Sequence, residues 1–317
     1  MTHSLDMSPW QGRIDSQEGS LARRWHEVVQ PLAVDAAPGA AFLGLASDLG
    51  VQRNQGRPGA AEGPLALRRA LANLPFRGGL PLYDAGTVIP EGEDLEGAQA
   101  DFGTGVHQLL EAGHLCLGLG GGHEIAWGSW QGLAAWAEAQ QPLPRIGILN
   151  LDAHFDLRQA DRATSGTPFR QIANDCARRG WDFRYAAFGI SVYANTEALF
   201  QAARDLQVLT RLDEDLGVAD LPGALSDLAL FAGSVDHLYL TVCLDVLPAA
   251  VAPGVSAPAA RGVALDVLEK LIDVACATGK VRHAEIAELN PSLDEDGRTA
   301  KVAARLIGRM VERCGRR

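Results

Sequence analysis

A three-layer α/β fold is the architecture this sequence predicts: a doubly wound, mostly parallel sheet of about eight strands between two layers of helices. Three observations point to it. Short apolar, β-rich runs alternate with helical patterns from about residue 40 to the end, and such a βαβα order is built from crossovers between parallel strands. Several of the runs are apolar almost throughout, as strands covered on both faces must be. No linker-like break or internal repeat interrupts the alternation. Residues 37–317 are therefore expected to form one domain, preceded by a less regular arm at 1–36 with one helix near Ser20–Val29.

The strands follow in order, each an apolar run broken by glycine, proline or charge. They are AAFLGLAS from Ala40, LYDAGTV from Leu82, HLCLGLGG from His114, RIGILNLDAH from Arg145, RYAAFGIS from Arg184, a short QVLT from Gln207, HLYLTVCLD from His237 and VRHAEIAEL from Val281. Helical patterns fill the intervals at Gly63–Leu74, Asp94–Ala112, Ile125–Gln140, Thr167–Arg179, Asn195–Asp205, Leu221–Ala232 and Val263–Thr278, and a last helix closes the chain near Thr299–Cys314. In such a sheet, ligands bind beyond the carboxyl ends of the strands. Those ends are where chemistry is sought.

Composition narrows the classes of function. The chain has 317 residues, 47% hydrophobic and 21% charged, which is globular rather than disordered or fibrous. Its formal charge is −11, so a nucleic-acid backbone is an unsuitable general partner, and an anionic substrate would need local arginines. No apolar run approaches the roughly 20 residues that span a bilayer. The opening stretch has no signal-like apolar core. Five scattered cysteines without a CxxC argue for a reducing, cytoplasmic setting rather than a disulfide framework.

Three strand ends hold unusual polar residues. The first is GLGGGHE, where glycines permit a sharp turn that brings His123 over the sheet edge; it matches neither GxGxxG nor a P-loop, which discounts phosphate binding. The second is Asn150–Arg158, in which Asp152, His154 and Asp156 alternate and so share one side of an extended segment. The apolar run before them marks a central strand, and carboxylates at its end need a partner that offsets their desolvation. The third places Cys243 and Asp245 on one face of another strand end. Mixed N/O ligands from several strands suit manganese, with zinc, iron or cobalt as alternatives. Six ligands suggest two cations.

These residues resemble a known superfamily. GGGHE, DAHFD, LTVCLDVLP and AELNP, in that order, are similar to the signatures of the ureohydrolases (arginases and agmatinases), and RPGAAEGP from Arg57 resembles an early loop of that family. The resemblance spans about residues 40–310. It implies the arginase-like fold and hydrolysis of an amidine or guanidine C–N bond by a metal-bridging hydroxide, with two Mn2+ per subunit. His123 and Asp156 would hold one cation, His154 and Asp245 the other, and Asp152 would bridge them. Cys243 stands where the family usually has a second bridging aspartate. That departure bears on which metal binds, because a thiolate is the softer ligand. Glu288 would pair with the cationic nitrogens of the substrate. The segment Ser165–Pro168, where the family often has a proton-shuttling histidine, has none, which leaves water or Glu288 for proton delivery.

Arg158 sets the substrate expectation. Arginase-like members tend to have a neutral residue there, whereas an arginine offers a two-pronged fork to a carboxylate. DAHFDLR, TSGTPFRQI and LDVLPAAVAPGVSAPAARG resemble the formimidoylglutamase branch, which acts in histidine breakdown. That implies N-formimidoyl-L-glutamate as the small anionic amidine substrate. Arg158, Arg170, Ser165 and Thr167 are the substrate-binding candidates, with Arg170, Arg57 and Arg53 as candidate donors to the substrate's second carboxylate. The alternatives are an amidinohydrolase that releases urea from a guanidino acid, and a metal-poor binding protein in which Cys243 marks a lost cluster. The resemblance also implies a homo-oligomer, trimeric or hexameric.

Overall fold

The computed structural model describes residues 5–315; residues 1–4 of the expected arm and 316–317 of the expected domain lie outside them. Its centre is a sheet of nine strands, β1 (Gln30–Pro31), β2 (Ala40–Leu45), β3 (Leu82–Val88), β4 (Leu115–Gly120), β5 (Ile146–Leu151), β6 (Tyr185–Ile190), β7 (Leu209–Leu212), β8 (His237–Cys243) and β9 (Val281–Ala287). Every pairing among them is parallel. The eight strands expected from the apolar runs are β2 to β9. The ninth, β1, is a two-residue edge beside β3, too short to leave a pattern in the sequence.

The strand order is β1-β3-β2-β4-β9-β8-β5-β6-β7. The chain builds one half of the sheet up to β4, then crosses over to β5 and builds the other half. Strands β8 and β9 return to fill the gap between them. The carboxyl ends of β4, β9, β8 and β5 therefore lie side by side at the switch point, where a crevice forms in open α/β sheets.

Two apolar clusters cover the two faces. One packs α2 (Gly63–Ala72), α7 (Leu221–Gly233), α8 (Leu265–Ala277) and α9 (Arg298–Cys314) on one side. The other packs α3 (Leu95–Glu111), α4 (Ile125–Glu138), α5 (Pro168–Arg179) and α6 (Glu197–Asp205) on the opposite side. These helices agree with the sequence reading to within a residue or two at most ends. The five-residue α1 (Leu49–Arg53) was not expected, being too short to show a helical period.

The helix expected at Ser20–Val29 is absent. Two 3-10 segments, Ser16–Ala22 and Trp25–Glu27, take its place. The anchor there is aromatic burial rather than a continuous apolar face. Trp10 and Trp25 both pack against Phe42 of β2, at ring centroid distances of 5.8 and 5.7 Å. Trp10 Nε1 also donates to Asp84 Oδ2 at 2.6 Å, joining a buried ion pair between Asp84 and Arg68.

Candidate metal centre and active-site cleft

Four adjacent strand ends supply the site. His123 follows β4 through two glycines that nothing larger could replace. A Cβ on Gly121 would lie 1.8 Å from the Ser47 carbonyl oxygen, and one on Gly122 2.0 Å from a Glu124 carboxylate oxygen. Asp152, His154 and Asp156 follow β5, Cys243 ends β8 with Asp245 two residues on, and Glu288 follows β9. Asp156 and Glu288 have positive φ, 49° and 70°, a conformation uncommon in non-glycine residues.

The six expected ligands converge. His123 Nδ1 lies 3.0 Å from Asp152 Oδ2 and 3.0 Å from Asp156 Oδ2. His154 Nδ1 lies 3.2 Å from Asp245 Oδ2 and 3.6 Å from Asp152 Oδ1. Two trios of donor atoms, His123–Asp152–Cys243 and Asp152–His154–Asp245, each fall within 4.8 Å, and Asp152 belongs to both. Asp152 is fully buried and oriented by Asn150 Nδ2 at 3.0 Å and the His154 amide at 2.8 Å.

The donor set fits divalent cations. Three carboxylates, two of them buried, share this space with two imidazoles, an excess of negative charge that burial disfavours. His123 Nδ1 and Asp245 Oδ1 are buried with no hydrogen-bond partner. Protonation responds to the crowding. Burial works against charge on His123, but Asp152 and Asp156 hold its pKa well above the usual imidazole range. Burial likewise opposes ionisation of Asp152, yet the two imidazoles beside it, His123 and His154, keep its pKa low. Asp156 is pushed up to about 6 by burial and by the charge of Asp152. Burial, then the charges of Asp152, Asp245 and Glu288, push the Cys243 thiol well up.

Above the cluster opens a cleft of about 340 Å³, lined at its base by His123, His154, Asp156, Cys243, Asp245 and Glu288. Glu288 Oε1 accepts the His123 amide at 2.8 Å. Its carboxyl is raised to about 8 by burial and by the nearby charges of Glu124 and Asp245. Arg158 and Ser165 are on the wall. The exposed guanidinium of Arg158 has no hydrogen-bond or ion-pair partner among the described residues, and its stem lies against Gly166.

The other candidates are committed elsewhere. Thr167 immediately precedes α5, and its hydroxyl is taken up by contacts with Thr164 and Gln171. Arg170 points its Nε at the Leu157 carbonyl, 3.3 Å away. Arg53 is held by Glu96 and by the carbonyls of Ala163 and Glu93. Arg57 does line the cleft, but its guanidinium is bound to the carbonyls of Val255 and Ser256.

Sequence reading missed Asn54, Gln55 and Ser256, which also line the cleft. Gln55 has a φ of 62°, and no pattern in the sequence announces it. It also missed a buried polar layer under His123 made by Ser129, Tyr239, Thr241, His283 and Glu285. A signal for that layer was present: His283 and Glu285 share one face of an otherwise apolar strand.

The sequence profile of the arginase family matches residues 38–312. A formimidoylglutamase of Ralstonia nicotianae is 56% identical over 318 residues, covering 98% of this chain and 97% of that protein. One from Aromatoleum aromaticum is 55% identical, over 98% of this chain and 94% of its own. Among solved structures, Trypanosoma cruzi formiminoglutamase with Mn2+ superposes with a TM-score of 0.77 at 26% identity, over 88% of this chain and 94% of that one. Bacillus subtilis formimidoylglutamase shares the fold, with a TM-score of 0.84 at 21% identity, over 96% and 95%.

Proposed function

The chain belongs to the arginase family, and on that premise we propose that its cleft hydrolyses N-formimidoyl-L-glutamate to L-glutamate and formamide, a reaction of histidine degradation. The observation that carries this reading is the pairing of a two-cation donor set at the cleft base with an uncommitted arginine, Arg158, on its wall. The fold implies a binuclear metal centre, and Mn2+ is the proposed metal.

His123, Asp156 and Cys243 would hold one cation, His154 and Asp245 the other, with Asp152 shared. Bound there, two cations supply Lewis acidity and acidify a water toward neutrality. The protein's own groups do the rest. One oxygen of Glu288 is held by the His123 amide, leaving the other for the amidine nitrogens. A cationic nitrogen beside Glu288 favours its carboxylate form. Arg158 takes a substrate carboxylate through two parallel N–H donors, and Ser165 offers a hydroxyl nearby. Water adds to the formimidoyl carbon, the bond from that carbon to the glutamate nitrogen breaks, and a proton passes to that nitrogen. A cytoplasmic, homo-oligomeric enzyme belongs to the same proposal. The five free thiols suit a reducing compartment, and no helix among the described residues is long and apolar enough to cross a membrane.

The test is direct. Mn2+-loaded protein is incubated with N-formimidoylglutamate, arginine, agmatine and guanidinobutyrate, and formamide and urea are quantified separately. Formamide from the first substrate alone, abolished by chelation, is the expected result. Urea from a guanidino acid would replace this reading with the amidinohydrolase alternative.

A further inference from the structure

We propose that Glu285, acting through the Thr241 hydroxyl, is the positioning residue that presents His123 Nδ1 to the metal centre. The inference rests on the two-cation reading above and extends it to residues below the cluster.

Thr241 and Glu285 face each other across β8 and β9, and Gly118 of β4 lies on the other side of Glu285. A Cβ on Gly118 would come within 2.8 Å of the Glu285 Cβ, so glycine there makes room for the acid. Glu285 is buried, and donors surround its carboxylate. Tyr239 and Ser129 donate to its two oxygens, Thr241 Oγ1 donates at 3.0 Å, and His283 Nε2 stands 3.2 Å away. A carboxylate hydrogen-bonded by that many donors remains ionised and has no proton to return.

The consequence passes to His123. Thr241 has one hydroxyl proton and gives it to Glu285. Its oxygen also lies 2.9 Å from His123 Nε2, so toward the ring it can only accept. Neutral His123 must then hold its proton on Nε2, and its bare Nδ1 faces Asp152, Asp156 and the cleft. A ligand imidazole needs this state, and a hydrogen bond at the other ring nitrogen is what usually sets it. The T-shaped contact with Phe169, 5.4 Å between ring centroids, restrains the ring plane from the side.

The test is Mn2+ binding by metal-free protein, followed by calorimetry and by counting bound metal, with thermal unfolding of the metal-free form as the structural control. Thr241→Val removes the hydroxyl at nearly constant volume. It should weaken one of the two sites by about 10- to 100-fold, the range for loss of such outer partners, and leave the other site intact. Thr241→Ser, which restores the hydroxyl, should recover most of that loss. Ser129→Ala, which touches Glu285 but neither Thr241 nor His123, should leave metal affinity unchanged. Should Thr241→Val not fold, Thr241→Ala removes the same hydroxyl and has the same expected result. Unchanged binding in the hydroxyl-free variant would overturn the proposal. So would a Ser129→Ala loss as large as that of Thr241→Val, because the layer would then act only as structure. Failure of the unaltered protein to bind two cations would overturn the metal reading itself, and this inference with it.

Discussion

Replacing Arg158 with asparagine removes the one cleft arginine whose guanidinium no described residue engages. A hydrogen bond to a charged group contributes about 1.5–3 kcal/mol, and each 1.36 kcal/mol is a factor of ten, so kcat/KM for N-formimidoylglutamate should fall by about 10- to 150-fold. The exposure of Arg158 favours the lower end of that range, because water screens the pair until substrate covers it. The effect should appear mainly in KM, since the carboxylate is held equally before and during reaction. Stability should move by less than about 0.5 kcal/mol, because no partner is stranded. Arg158→Lys should recover only part of the loss, lacking the planar fork.

Gly166 permits a sharper version of the test. A Cβ there would lie 2.8 Å from Arg158 Cδ and 3.2 Å from its Nε, so Gly166→Ala must swing the guanidinium aside while keeping its charge. Most of its kcat/KM loss should vanish when Arg158 is already asparagine, since the two changes act chiefly on one contact; the new Cβ also meets Asn54 Nδ2 at 3.2 Å, which sets a small remainder. Steady-state kinetics on the four proteins decide this. If Arg158→Asn leaves kcat/KM unchanged, or if Gly166→Ala costs the same in both backgrounds, the carboxylate-clamp reasoning fails.

Two further predictions follow from the same structure. Cys243→Ala should lower the affinity of one metal site, while Cys243→Asp should retain or raise Mn2+ binding, since a carboxylate is the harder ligand; metal analysis of both variants checks this, and an unaltered Ala variant would make Cys243 a packing residue. Far from the cleft, Arg68→Met strands the fully buried Asp84, which Arg68 engages through Nε at 2.7 Å and Nη2 at 2.9 Å. Breaking such a pair costs about 3–5 kcal/mol, so the urea midpoint should drop sharply, and a loss under about 1 kcal/mol would show that Trp10 and the Gly86 amide suffice to hold Asp84.

How much was legible in the chain depended on how local the physics was. The alternation of apolar strands and amphipathic helices is a short-range pattern, and the structure places it where the sequence predicted. Asp152, His154 and Asp156 do lie at the expected strand end, but β5 stops at Leu151, so they meet around a bend rather than along one side of an extended segment. The arm at Ser16–Glu27 was misread because its stability comes from Trp10 and Trp25 meeting Phe42, contacts between distant segments that leave no helical period. Thr167 and Arg170 are substrate candidates through the resemblance carried by TSGTPFRQI, yet in the structure the Thr164 carbonyl engages Thr167 and the Leu157 carbonyl engages Arg170.

The sequence by itself determined the α/β class, the strand ends that bear the candidate ligands and the residue types that suit divalent metals. Tertiary structure decided which of those ends meet. His123, Asp152, Cys243 and Glu288 converge because β9 and β8 insert between β4 and β5, an order that no single strand's composition encodes. It also decided that Thr241 and Glu285 lie beneath His123, since their pairing is a matter of register between neighbouring strands. The physical reason is one of range: burial and backbone geometry act within a segment and leave periodic marks in it, whereas strand order and register are set by the packing of all segments at once.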